Sequence, residues 1–179
     1  MLLLKTNRDT LLKPLQTVTG IVERRQTLPI LSNVLIQQDN EKTTFLTTDL
    51  EIQIKTVSIK NSSTQQNFSL TVSAKKLQDI LRSLATDAEV TLTRQDDHLQ
   101  VKSGKSAFNL QILPAEDFPE IIEELKSDIF VTLKQSELKK LLHHVQFSVA
   151  QQDIRYYLNG LLLLIENNKL IGVGTDGHR

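Results

Sequence analysis

Three apolar helical faces, set at matching places along the chain, restrict this sequence to a repeated architecture. Leu11, Pro14, Leu15 and Val18 recur at i, i+3, i+4, i+7, and Leu77, Ile80, Leu81 and Leu84 repeat that spacing. Leu138, Leu141, Leu142 and Val145 repeat it a third time, and the leading leucines lie 66 and 61 residues apart. Helices are therefore expected over 7–19, 73–86 and 136–149, capped by Asn7, Ser73 and Ser136. Pro14 should bend or shorten the first of them.

The segments between the helices read as strands. Residues 33–38, 43–48 and 51–59 form one set, with a turn at Asp39-Asn40-Glu41. Residues 68–72, 89–93, 99–103 and 107–113 form a second, with a turn at Gln95-Asp96-Asp97. Residues 129–133, 158–166 and 169–174 begin a third, with a turn at Glu166-Asn167-Asn168. Leu113-Pro114 to Pro119 is an irregular acidic connector and a candidate domain boundary. The expectation is an α+β protein of repeated strand-helix-strand units, two in a domain over 1–125 and one in an incomplete domain over 126–179.

Charge follows the same division. Lys+Arg and Asp+Glu number 21 each, so the net charge says nothing about partners. The helix windows, however, hold Arg8, Lys13, Lys75, Lys76, Arg82, Lys139 and Lys140 against only Asp9, Asp79 and Glu137. At 100° per residue, Lys75 and Arg82 lie opposite the apolar face of the second helix. Helices on one basic surface and strands on an acidic one would suit a polyanion held by its phosphates, although an ordinary solvated helix face fits the same excess.

Several chemistries have little support. There is no cysteine, hence no disulfide framework, which fits a reducing cytosol. Met1-Leu-Leu-Leu is too short for a signal segment and Leu161 to Ile165 too short to span a membrane, so a soluble cytoplasmic protein is expected. Asp176 and His178 could form an acid/base pair, or bind a metal alongside Asp49. The same Thr-Asp context around Asp49 and Asp176, after equivalent hairpins, favours a turn role instead. His143 and His144 point about 100° apart on a helix and make a poor metal pair. No nucleophile elbow or phosphate-cradling glycine loop occurs. The chain reads as a binding scaffold, without catalytic residues, metal or cofactor.

The segments LLKPLQTV (11–18), TLPILSNVLI (27–36), TTDLEI (47–52), LPAEDFP (113–119), QQDIRYYLNG (151–160) and TDGHR (175–179) together resemble the β subunit of bacterial DNA polymerase III, the sliding clamp. The resemblance implies a DNA-clamp fold, with helices on one face of curved antiparallel sheets and three domains per chain. It further implies a non-catalytic processivity factor that closes head-to-tail as a homodimer around double-stranded DNA, without sequence preference. Through linear motifs such a ring docks the polymerase III α subunit, the clamp loader, other polymerases and mismatch-repair proteins.

Carried over by position, DNA contacts fall on Arg25, Lys75, Gln152, Tyr156 and Tyr157. The partner-peptide pocket falls on Leu158, Thr175, Gly177, His178 and Arg179. The ring interface falls on Lys105, Phe108 and Leu110, along an exposed edge strand over 106–112. Lys75 and Lys105 stand where the family usually has arginine, and a lysine keeps the charge without the bidentate geometry. Ala107 stands where a basic residue is common. The resemblance ends within a second domain, so this polypeptide is expected to be a fragment that does not close a ring alone. The rival expectation is a fragment acting only as a peptide- or clamp-binding decoy.

Overall fold

The computed structural model describes residues 1–22, 28–39, 42–59, 67–121 and 131–179, in two compact units, Met1–Glu123 and Glu124–Arg179. In the first unit the chain runs β1 (Leu2–Asn7), α1 (Arg8–Val18), β2 (Asn33–Asp39), β3 (Lys42–Thr48) and β4 (Gln53–Ile59). The pattern then repeats as β5 (Phe68–Ser73), α2 (Ala74–Ser83), β6 (Glu89–Gln95), β7 (His98–Ser103) and β8 (Ser106–Leu113). The two halves exchange their first strands: β1 pairs with β6, and β5 pairs with β2, giving one antiparallel sheet in the order β1-β6-β7-β8-β5-β2-β3-β4. Neither half completes its own sheet without the other.

β1 was not among the expected strands, and its burial explains why. Leu3 and Leu4 are both buried because the register shifts between Leu2 and Leu4, a local irregularity that removes the period-two signal. α1 begins where expected: the Asn7 side chain accepts from Asp9 N at 3.0 Å. Pro14 lies inside this 11-residue helix, and Leu12 rather than Pro14 completes the buried face with Leu11, Leu15 and Val18.

α1 and α2 share one apolar cluster with the sheet, in which Leu15, Val18, Leu77 and Leu81 meet Val34, Ile36, Phe45, Val90 and Val101. Two polar contacts join the helices. Arg8 Nε donates to the Leu81 carbonyl at 2.8 Å, satisfying an orphan acceptor in the last turn of α2, and Gln78 Nε2 donates to Thr19 Oγ1 at 2.7 Å. Arg8, counted above among the basic helix charges, is therefore a structural residue, further tied to Asp9 at 2.9 Å.

The strand Val34-Leu35-Ile36 is buried on both faces. Leu35 and Leu46 form a second cluster with Phe118, backed by Ile30 and Ala115. The connector over 113–119 thus packs on the first unit: Phe118 is 5% exposed. Gln53 fixes Ile121 just beyond the connector, donating to the Ile121 carbonyl at 3.3 Å and accepting from Ile121 N at 2.8 Å.

The second unit contains α3 (Gln135–Val145) and a two-stranded antiparallel sheet of β9 (Leu162–Glu166) and β10 (Lys169–Val173). Asn167 and Asn168, at φ 50° and 61°, make the tight turn between them. The strand expected over 129–133 does not appear at 131–133, and 129–130 lie outside the described residues. Lys134, not Ser136, is the N-cap of α3. The strand expected over 158–166 begins only at Leu162, because Tyr156–Asn159 forms a 3-10 turn. All of β9 is exposed, and α3 buries no residue fully. At the end of β10 the backbone comes close to α3: a Cβ on Gly174 would lie 2.6 Å from the Val145 carbonyl oxygen, so only glycine fits.

Candidate functional site

The two Thr-Asp segments fold into the same hydrogen-bonded loop. Thr48 Oγ1 donates to the Ile52 carbonyl at 2.9 Å and accepts from Leu50 N at 3.0 Å, while Asp49 Oδ1 accepts from Glu51 N and Ile52 N at 3.0 and 2.7 Å. Thr175 Oγ1 donates to the Arg179 carbonyl at 2.6 Å and accepts from Gly177 N at 3.0 Å, while Asp176 Oδ1 accepts from His178 N and Arg179 N at 2.9 and 3.1 Å. Leu50 and Gly177 both take left-handed backbone, at φ 79° and 88°. Both carboxylates are thus engaged by their own loops. Those backbone donors, His178 N first, hold Asp176 below the usual carboxylate range. Among the described residues no group of three or more His, Asp or Glu could hold a metal.

A second built loop presents the tyrosines. The Asn159 amide closes it, accepting from Asp153 N at 2.9 Å and donating to the Asp153 carbonyl at 3.0 Å. Arg155 adds two parallel bonds to the Asp153 carboxylate, from Nε at 3.1 Å and a terminal nitrogen at 2.9 Å. Hydrogen bonding from the Arg155 side chain, then from its backbone N–H, lowers the Asp153 pKa to about 2. On this frame Tyr156 and Tyr157 stand 83% and 68% exposed, in edge-to-face contact at 6.0 Å. Gln152 sits beside them with φ 57°.

A groove of about 500 Å³ runs along these loops, lined by Phe147, Val149, Gln152, Asp176, His178 and Arg179 among others. Of the five expected pocket residues, His178 and Arg179 line it. Arg179 pairs with Asp176 at 3.0 Å and lies 5.9 Å from the Phe147 ring centroid. Thr175 and Gly177 build the loop rather than the groove wall. Leu158 is buried, with its N–H donated to the Arg155 carbonyl and its carbonyl accepting from Ala150 N. Gln152, expected on DNA, shares the groove with His178 and Arg179, expected in the peptide pocket. Asp153, Arg155 and Phe147 were missed; an acid and an arginine two apart beside paired tyrosines was the available signal.

In the first unit, Lys75 is half-buried on α2 and Lys76 and Arg82 are exposed, none of them in an ion pair among the described residues. Arg25 lies outside the described residues. β8 pairs with β7 along its length but with β5 only at Ile112 and Leu113, so residues 106–111 keep one free edge. The expected exposed Phe/Leu edge needs correction. Leu110 is 5% exposed and Phe108 packs against the same core, because alternate residues of β8 face inward. What that edge offers is backbone. Ile112 N donates across to the Asp97 carbonyl, so by alternation Ala107, Asn109 and Gln111 turn their N–H and C=O outward. Lys105 is exposed in the β7–β8 turn.

Two family descriptions match the chain: DNA polymerase III beta subunit, N-terminal domain, over residues 2–122, and the central domain of the same subunit over 132–179. The chain belongs to the DNA polymerase III beta subunit family. Among curated members, the beta sliding clamp of Pseudomonas putida is 45% identical over 172 residues, which is 96% of this chain and 46% of that protein. The Escherichia coli beta sliding clamp is 41% identical over 172 residues, with the same two coverages. The crystal structure of the subunit from Pseudomonas aeruginosa superposes at TM-score 0.91, with 42% identity over 97% of this chain and 47% of that one. The chain spans about half the length of the curated relatives it matches. The α+β clamp fold, with its curled antiparallel sheet, is thereby established.

Proposed function

We propose that this chain supplies the DNA-facing helices and part of the partner-docking groove of a processivity factor. As a head-to-tail homodimer, that factor encircles duplex DNA and tethers replication enzymes to it. The observation that supports this most directly is the tyrosine pair. Two aromatic side chains held in solvent on a loop closed by Asn159 and Arg155 suit contact with a ligand surface. Arg25, Lys75, Gln152, Tyr156 and Tyr157 carry the sequence-independent contacts to DNA, with the cations acting on phosphates. His178 and Arg179 meet linear motifs of the polymerase III α subunit, the clamp loader, other polymerases and mismatch-repair proteins. The free backbone edge of β8, flanked by Lys105 and supported from inside by Phe108 and Leu110, adds to a sheet edge of the partner subunit.

In this reading no bond is made or broken, so no catalytic residue or cofactor is required, and the protein works in the cytoplasm at the nucleoid. No helix among the described residues is long and apolar enough to cross a membrane. The test uses a full-length protein carrying these two domains, loaded on nicked circular duplex by its loader. Retention on circles with release on linearisation is expected; equal release from both would sink the encircling reading.

The chain alone is proposed not to close a ring. The unpaired β8 edge favours a second reading for it, a decoy that binds clamp subunits or partner peptides without encircling DNA. Retention of residues 1–179 alone on circular DNA would exclude that second reading.

A further inference from the structure

The glycine at the left-handed position of the second Thr-Asp loop has a neighbour that its counterpart lacks. Leu50 and Gly177 occupy the same place in loops with the same hydrogen bonds, and a leucine is tolerated there in the first. In the second, a Cβ on residue 177 would lie 3.1 and 3.3 Å from the two terminal nitrogens of Arg155. The glycine therefore admits a guanidinium. That guanidinium already holds both oxygens of Asp153, and one terminal nitrogen also donates to the Asp176 carbonyl at 3.3 Å. Asp153 is the residue on which Asn159 closes the tyrosine loop, and Asp176 is the residue that caps His178 and Arg179. One side chain thus joins the loop that carries Tyr156 and Tyr157 to the loop that carries His178 and Arg179. Gln152 from the first loop shares the groove with His178 and Arg179 from the second.

We propose that Arg155 is a positioning residue that couples the two loops, so that a ligand engaging one displaces the other. Resting on the function proposed above, the two ligands are duplex DNA at the tyrosine loop and a linear peptide at the groove, and their affinities are linked through this contact. The role needs arginine. A planar fork reaches two carboxylate oxygens while a further N–H remains for the Asp176 carbonyl, whereas a lysine ammonium on its stem reproduces the charge and not the fork.

The test is ligand-free and uses the isotopically labelled chain. Gly177→Ala crowds the guanidinium without touching either tyrosine. The amide signals of Tyr156, Tyr157 and Leu158 are expected to shift together with those of residues 175–179. In the Arg155→Lys background the shift at 156–158 should be lost while the local one at 175–179 persists. Shifts confined to the glycine's own loop in the wild-type background would overturn the proposal, and so would a 156–158 shift that survives Arg155→Lys undiminished. Should Gly177→Ala fail to fold, Asp153→Asn weakens the same anchor from the other side and is read in reverse. Displaced amides at Gly177 and His178 support the coupling, and unmoved ones defeat it. Because neither DNA nor peptide is present, failure of duplex binding leaves the coupling intact, and a silent coupling leaves the DNA reading intact.

Discussion

Removing one hydroxyl from each of the twin loops should show that the same hydrogen bonds differ in worth according to burial. Thr48→Val keeps the shape and deletes the bonds to the Ile52 carbonyl and from Leu50 N. The Ile52 carbonyl still accepts from Asp49 N at 3.2 Å, so the orphaned group is the Leu50 N–H, part-buried beside the fully buried side chain at position 48. A buried donor left without a partner costs about 1–3 kcal/mol, and for this part-buried one we expect the low end, about 1 kcal/mol. Thr175→Val deletes the equivalent pair, but Thr175 is only half-buried and Gly177 is exposed, so water replaces the lost partner. The expected loss there is about 0.5 kcal/mol, the lower end for a hydrogen bond. The assay separates the units without labels. Both tyrosines of the chain lie in the second unit and tryptophan is absent, so tyrosine fluorescence reports Glu124–Arg179, while far-UV circular dichroism is dominated by the larger sheet. In urea, Thr48→Val should lower the dichroism midpoint at unchanged slope and leave the fluorescence transition in place. A Thr48→Val midpoint within about 0.5 kcal/mol of wild type, the range of ordinary surface changes, would refute the argument that this loop is a stability element.

Three further outcomes are expected. Asp153 is depressed from 3.8 to about 2 in the folded protein, so its contribution to holding the tyrosine loop is complete above pH ~4 and lost as pH falls toward ~2. Acid titration of tyrosine fluorescence should show a transition in that window that Asp153→Asn removes. Leu15→Ala, in the cluster shared by α1, α2 and the sheet, should cost about 2–5 kcal/mol by chemical denaturation; a loss near zero would contradict the assigned core. In a full-length protein, Lys75→Ala should weaken duplex association and lower the salt slope by about one unit, and an unchanged slope removes Lys75 from the phosphate contacts.

How far the sequence could be read depended on whether a residue's role was local. The helix faces at Leu11 and Leu77 were legible because helical burial is periodic, and the Thr-Asp loops because one turn chemistry was written twice. β1 escaped because its irregular register buries Leu3 and Leu4 together, and Phe118 because a connector's role in the core depends on strands distant in sequence. The basic surface was overcounted for the same reason. Arg8 has the composition of a phosphate contact and the geometry of a helix tie, which only the Leu81 carbonyl reveals. The resemblance supplied the tyrosines and the Thr-Asp-Gly-His-Arg segment as separate motifs with separate ligands. It did not supply Arg155, since nothing in the spacing of 155 and 177 marks them as neighbours. A motif reading therefore assigns two sites, whereas the contacts of one guanidinium describe a single unit whose two faces are held in register. Under the proposed function, in which DNA is held while enzymes are exchanged, that register is the more consequential property.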